Sequence, residues 1–318
     1  MDDATSMPSR AASMDNMPSM IGVVTVTYNS ALVMPDFIRS LESQLIRNFI
    51  VIAVDNASTD DTIAQLASWN FENLVLIKND QNEGVAAANN RGIRLALAAG
   101  CDYVLLLNND VVFPPELFQE LLRGLDANHC QMTVPIIYYY DQPDVIWCAG
   151  GRFKPLLGYL SRHIGDGSCG DGQFVEPQKV NYVPTCCVMI RRAVFDRIGL
   201  MDERYFVYSD DVDFMYRALL ERLSIFMLPK VKLWHKVSSL TGGNESDFAL
   251  FYGARGRSLF LYKHLGIFFG SIWSFIYLSF YWIRPLLGQD TWHRSSVRRN
   301  GIRAGRMIGM KPFEDLRG

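Results

Sequence analysis

The chain has 318 residues, 49% of them hydrophobic and 20% charged. That composition excludes a disordered or fibrous protein and fits one large α/β domain with an appendage, or two modest domains. With 31 Lys and Arg against 33 Asp and Glu, the chain is not a general polyanion binder, and nucleic acid is not an expected partner. Residues 251–318, however, hold eleven basic and three acidic side chains, so a basic tail follows an acidic body.

Residues 1–20 are polar, rich in Met and Ser, and lack an apolar core segment, which predicts a disordered leader rather than a secretory signal. Ile21 to Thr27 is a β-branched run that reads as a buried strand; Tyr28-Asn29-Ser30 ends it, and a helix is expected to about Gln44. Phe49 to Val54 is a second strand, ending at Asp55-Asn56. Ser58 and Asp61 then have capping-box spacing for a helix towards Trp69. Leu74 to Ile77 is a third strand. Gly84 to Ala99 is an Ala-rich helix stopped by Gly100. Tyr103 to Leu107 is a fourth strand, delivering Asn108-Asn109-Asp110, and Pro114-Pro115 opens the next helix. This rhythm predicts a mainly parallel sheet with helices on both faces, and places the three polar strand ends around one crevice.

Residues 135–182, rich in Gly, Tyr and Pro, read as irregular loops with short strands. Order is expected again over 183–198, and as a helix over 210–223. Six cysteines without a CxxC pair read as free thiols in a reducing compartment, which puts the body in the cytosol.

Three clusters carry chemistry. Asp55 suits a base N–H or ribose hydroxyl, and reads equally as a cap for the following helix. Asn108-Asn109-Asp110 offers hard oxygen ligands to a divalent cation on a diphosphate; alone it is also an ordinary strand-ending turn. Ser209-Asp210-Asp211-Val212-Asp213 is the densest acidic cluster. Three carboxylates within four residues exceed what helix capping requires, and their repulsion suits a general base with a raised pKa. His235 follows after one further helix and strand, positioned to return to the same rim as a cation ligand. No GxGxxG follows the first strand and no GxxxxGK[ST] is present, which argues against dinucleotide oxidoreductases and P-loop NTPases.

Taken in order, Val26-Thr27-Tyr28-Asn29, Val54 to Asp60, Asn82-Glu83-Gly84 through Asn89-Asn90-Arg91-Gly92-Ile93, Leu107 to Asp110, Ile198 to Glu203, Tyr208 to Asp213 and His235 to Ser239 resemble glycosyltransferase family 2, especially its rhamnosyltransferase-like bacterial members. The resemblance covers about residues 21–264. It implies a GT-A fold, a nucleotide-sugar donor, a Mg or Mn ion and inversion at the anomeric carbon. On this resemblance Asp55 recognises the nucleotide base, with Thr27 and Tyr28 in the same pocket, while Asn29, Asn56, Gly84, Asn89, Asn108 and Asn109 belong to the donor site. Asp110 and His235 correspond to metal ligands, and Asp211 to the general base, supported by Asp210 and Asp213. Asp210 stands where the family usually has Glu, Asn108 replaces the first Asp of the usual triplet, and Arg255-Gly256 replaces Arg-Asn.

Leu265 to Ile283 is uncharged, aromatic and barely long enough to span hydrocarbon, and six arginines from Arg284 to Arg306 follow it. This pairing predicts a helical tail over 265–318 that docks in the plane of an anionic cytoplasmic leaflet. The other reading is a helix packed on the catalytic domain or on a second copy in a homodimer. The expectation is therefore an enzyme at the inner face of the bacterial membrane that extends a saccharide or lipid-linked saccharide for a surface polysaccharide, with rhamnose the favoured sugar. Its rivals are a nucleotidyltransferase, which would need a basic Gly-rich phosphate loop near the N-terminus, and a catalytically silent sugar-binding scaffold.

Overall fold

A computed structural model describes residues 19–170, 172–237 and 246–311. The expected leader up to residue 18, and Ser238-Ser239 of the last motif, lie outside the described residues. The first half is β1 (Ile21–Thr27), α1 (Met34–Glu42), β2 (Phe49–Asp55), α2 (Thr62–Ser68), β3 (Leu74–Lys78), α3 (Val85–Ala98), β4 (Tyr103–Leu107), a short β5 (Val111–Val112) and α4 (Leu117–Ala127). Next come β6 (Met132–Tyr139), β7 (Ile146–Cys148), β8 (Gly151–Lys154), β9 (Leu160–His163), β10 (Gln178–Val180), β11 (Cys187–Arg191), α5 (Ala193–Ile198), α6 (Asp210–Leu220), β12 (Ile225–His235), α7 (Asp247–Leu286) and α8 (Trp292–Gly309).

The main sheet runs β3-β2-β1-β4-β11-β6-β12-β10. The first four strands are mutually parallel, because each connects through a helix. Their core residues are apolar on both faces, as a sheet covered on both sides requires. Gly92 lets α3 close onto β1, since a Cβ there would strike the Val24 side chain. β11 is antiparallel to both neighbours, β4 and β6, and β12 is parallel to β6. Two reversals restore the direction, so β12 ends at the same sheet edge as β1, β2 and β4.

Within the stretch read as irregular, β6 is instead a buried central strand. Its Pro135 hid it: proline cannot donate to a ladder and is expected only at edges or bulges. The structure satisfies that rule with a bulge in β12 between Leu228 and Lys232, opposite Pro135.

α7 is not one rod. Gly266 takes a left-handed φ of 75° and breaks it. The arms 247–265 and 267–286 fold back on each other, with the Arg257 guanidinium bonded to the Tyr277 hydroxyl at 3.3 Å and Tyr262 and Ser271 hydroxyls 3.2 Å apart. α8 then returns along the first arm, where Gly301 and Gly305 sit against the Phe251 and Arg255 carbonyls and Gly309 against Tyr262. Arg299 ties α8 to the second arm through the Tyr281 carbonyl, at 2.8 Å.

Candidate active site

A cleft of about 900 Å³ opens beyond the carboxyl ends of the parallel strands, where the topology of such sheets places ligands. Tyr28 after β1, Asn56 after β2 and Asn108-Asn109-Asp110 after β4 line one side; Gly84 and Asn89 close it at the start of α3. His235 stands beside Asp110, and Asp210 and Asp211, from the N-terminus of α6, also line the cleft. Six separated sequence segments thus meet at one cavity.

Asp110 and His235 are brought together by register. β5 pairs antiparallel with the end of β12, Val111 opposite His235, which seats Asp110 beside the imidazole. The Lys236 amide donates to the Asp110 carbonyl at 2.8 Å and locks the pairing. His235 Nε2 lies 3.2 Å from Asp110 Oδ1, yet that buried oxygen makes no hydrogen bond of good geometry, and neither does His235 Nδ1. Burial opposes an imidazolium at His235, while Cys186 and Asp110 favour it and together hold its pKa well above the usual value. Burial also keeps the Cys186 thiol protonated, so Asp110 is the group that supplies the negative charge. Among the described residues no third His, Cys, Asp or Glu joins the pair. Two donors suit a cation that takes its remaining ligands from phosphate oxygens and water, as Mg²⁺ commonly does.

The general-base candidate is held as firmly. Tyr208 and Ser209 both take left-handed φ values, 61° and 64°, before α6. Such strain persists only where the surroundings enforce it; here Gly256 of α7 packs directly against that turn, with no room for a Cβ. Tyr182 donates its hydroxyl to Asp211 Oδ2 at 2.7 Å, and the Val212 amide donates to Oδ1 at 2.7 Å. Burial raises Asp211, and these two hydrogen bonds pull it back towards the carboxylate. Burial and then the Asp211 charge push Asp210 up to about 8; of the two, Asp210 keeps its proton more readily, and Asp211, with its two hydrogen bonds, gives its proton up first. Replacing Tyr182 by Phe removes a bond to the charged form, and the Asp211 pKa rises. The acid limb of the kcat/KM profile is expected to move to higher pH, with turnover about tenfold down on that limb and recovery at alkaline pH. A loss equal at every pH would show that Tyr182 only packs.

Other expected site residues stand differently. Thr27 and Asp55 are fully buried, paired across β1 and β2, and do not line the cleft. The Asp55 carboxylate accepts from the Thr27 hydroxyl at 2.8 Å, the Ser58 hydroxyl at 2.5 Å and the Ser58 amide at 2.8 Å. Asn29 is exposed and binds the Ser58–Thr59 turn from outside the lining. Asn56 is anchored by Asn79 at 2.8 Å, and it donates to the Gly84 carbonyl at 3.2 Å. Asn109 spends its amide on the Val26 carbonyl and Ser30 hydroxyl; it braces the loop, while Asn108 is the exposed member of the triplet.

Asp213 is a correction. Grouped by sequence with Asp210 and Asp211, it points away from the cleft because two residues of helix turn a side chain by about 200° from Asp211. Fully buried, it pairs with Arg217 at 2.9 Å, Lys263 at 2.5 Å and His264 at 2.7 Å, joining α6 to α7. Burial opposes its charge, but His264, Arg217 and Lys263 outweigh that and hold the carboxyl far below its ordinary value. A depressed carboxyl stabilises the fold above the unfolded pKa and loses that contribution as pH falls through the folded one. Asp213→Ala leaves buried cations short of a partner and is expected to cost about 3–5 kcal/mol, read as a lowered midpoint in urea; an unchanged midpoint would refute the anchor.

Sequence reasoning missed the aromatic walls: Trp147, His163 and Tyr182 on one side, Phe206, Phe248 and Tyr252 on the other. The His163 ring stacks on Tyr182 at 5.9 Å, and burial lowers its pKa and leaves it neutral. Phe206 stacks on Tyr252 at 5.1 Å. Gly84, with φ of 87°, admits the Phe206 carbonyl, which accepts from the Val85 amide at 2.6 Å.

Comparison with known proteins agrees with this geometry. The family model for Glycosyl transferase family 2 matches residues 22–199. The chain is 26% identical over 256 residues to the dTDP-rhamnosyl transferase RfbF of Shigella flexneri, covering 78% of this chain and 82% of that protein. It is 28% identical over 273 residues to the N-acetylglucosaminyl-diphospho-decaprenol L-rhamnosyltransferase of Mycobacterium tuberculosis, covering 79% and 87%. Among solved structures, GalNAc-T7 crystallised with UDP, GalNAc and Mn²⁺ superposes with a TM-score of 0.58 at 16% identity, covering 78% of this chain and half of that one. That last likeness is one of fold, the GT-A arrangement.

Proposed function

This chain belongs to glycosyl transferase family 2, and we propose that it is an inverting, metal-dependent enzyme that moves rhamnose from dTDP to a lipid-linked saccharide in bacterial surface polysaccharide synthesis. The observation that carries the reading is the meeting of Asp110 and His235 with Asp211 across one cleft. Two relatives that act on rhamnose, one of them on a decaprenol-linked sugar by its name, favour this donor and acceptor.

The donor's diphosphate lies against Asn108 and Asp110, with its base towards Tyr28 and Asn56. Thr27 and Asp55 support that pocket from below. Asp110 and His235 would hold Mg²⁺ or Mn²⁺, which when bound would offset the charge that builds on the departing diphosphate. Asp211, its carboxylate fixed by Tyr182 and Val212, accepts the proton of the acceptor hydroxyl as that oxygen attacks from the face opposite the diphosphate. One displacement inverts the anomeric carbon. Asp210, protonated beside it, avoids a second negative charge at the attacking oxygen.

The acceptor's lipid would reach the cleft from a membrane on which the second arm of α7 lies. Its most apolar 18-residue window has a mean hydropathy of 1.4 and is only 11% buried, and Phe268 and Phe275 are 71% and 72% exposed. Because this arm is laced to two charged helices, it fits embedding along the inner leaflet better than crossing it. The deciding experiment is a thermal-shift panel of nucleotide sugars with and without Mn²⁺, followed by turnover on the hits. Stabilisation by dTDP-rhamnose that requires Mn²⁺ supports the reading, whereas stabilisation by another donor alone replaces rhamnose, and none by any donor removes the enzyme assignment.

A further inference from the structure

β8 and β9 form a separate two-stranded hairpin beside the cleft. Arg152 and Arg162 are direct cross-strand partners in it, and Lys154, two residues on, shares their face. All three side chains are exposed, and none has an ion-pair partner among the described residues. Like charges placed directly opposite destabilise a hairpin, so a face built this way is satisfied by an anionic surface. At the hairpin's tip Leu156 is 93% exposed and Leu157 46%.

The tip is joined rigidly to the apolar arm of α7. Arg257 donates to the Leu157 and Gly158 carbonyls, both at 2.7 Å, and also to the Tyr277 hydroxyl of the second arm. Gly158, at φ 63°, packs against Trp273 and Leu261. The tip, with its exposed leucine and the cationic strand face behind it, therefore abuts the second arm, which carries the exposed stripe Phe268, Ile272, Phe275, Ile276 and Ile283. Apolar groups to insert, aromatics, and arginines beside them complement an anionic bilayer.

We propose that the β8–β9 hairpin is a second membrane contact: Leu156 enters the leaflet, and Arg152, Lys154 and Arg162 bind the phosphates of anionic lipid. This rests on the membrane reading of the α7 arm and goes beyond it. His163, in the cleft wall, is three residues from Leu160 at the tip on the same strand, about 10 Å at the rise of an extended chain. The contact would thus hold the cleft mouth near the headgroups, where a lipid-linked sugar is presented.

The test is co-sedimentation of the full chain with vesicles of phosphatidylcholine alone or mixed equally with phosphatidylglycerol. Arg152→Ala/Arg162→Ala should weaken binding to the anionic vesicles roughly fivefold per arginine and hardly alter binding to neutral ones. Leu156→Glu should weaken both. Donor hydrolysis at wild-type rate in each variant confirms folding. If the wild type binds and the variants bind equally, the hairpin contact is refuted while the α7 reading stands. If the wild type ignores vesicles, the α7 reading falls and the hairpin proposal with it. Loss of a dimer, rather than of vesicle binding, in Leu156→Glu would overturn the lipid assignment in favour of a second copy.

Discussion

Asp211→Asn is expected to leave donor affinity nearly unchanged and to cut turnover by about two to four orders of magnitude, the usual range for a general base. The carboxamide keeps the shape of the side chain and still accepts the Tyr182 hydroxyl bond through one oxygen, so the loss would report proton transfer rather than collapse of the turn. Steady-state rates beside donor titrations by calorimetry make the distinction. A variant with wild-type turnover would remove Asp211 from the chemistry and direct attention to Asp210, the other carboxyl at the start of α6. The test is independent of the family match, which covers residues 22–199 and ends before α6.

Asp110→Ala should differ in its effect on donor binding. It removes the one carboxylate that lies within ion-pair distance of His235 among the described residues, and with it the charge that holds a cation against the diphosphate. Turnover is expected to fall roughly a thousandfold, and the gain in donor affinity on adding Mn²⁺ should vanish. Since a cation must displace the proton that Asp110 favours on His235, Mn²⁺ binding to the wild type should release protons and tighten with rising pH. Mn²⁺-assisted donor binding that survives in Asp110→Ala would place the cation elsewhere in the cleft.

Much of this arrangement was legible in the sequence, for identifiable reasons. The four parallel strands are β-branched or leucine runs too apolar for loops, and three of them lead into the polar ends Tyr28-Asn29, Asp55-Asn56 and Asn108-Asn109-Asp110, so the strand ends and the cleft edge could be read together. Asp110, Asp211 and His235 sit at the ends of elements whose order implied convergence, and they do line one cavity. What escaped reading obeys other rules. β6 was concealed by Pro135, tolerated only because β12 bulges opposite it. Tyr182 and His163 come from a stretch without periodicity, where nothing local marks a residue whose partner is 29 positions away. Asp213 was misgrouped because proximity in sequence says nothing about which side of a helix a carboxylate takes. Gly266 is one glycine within a long apolar run, and no pattern separates a break there from a straight helix.

The grip of Lys263 and His264 on Asp213 has a practical side. Both partners precede the Gly266 break by a few residues, and the carboxylate they hold lies two residues past Asp211. Anyone trimming the chain ahead of α7 to obtain a detergent-free catalyst would strip that dehydrated anion of two of its three partners and leave Arg217 alone to hold it. In this enzyme the first arm of α7 is a keystone of the catalytic body, and solubility has to be sought by repainting the outer stripe of the second arm rather than by amputation ahead of the helix.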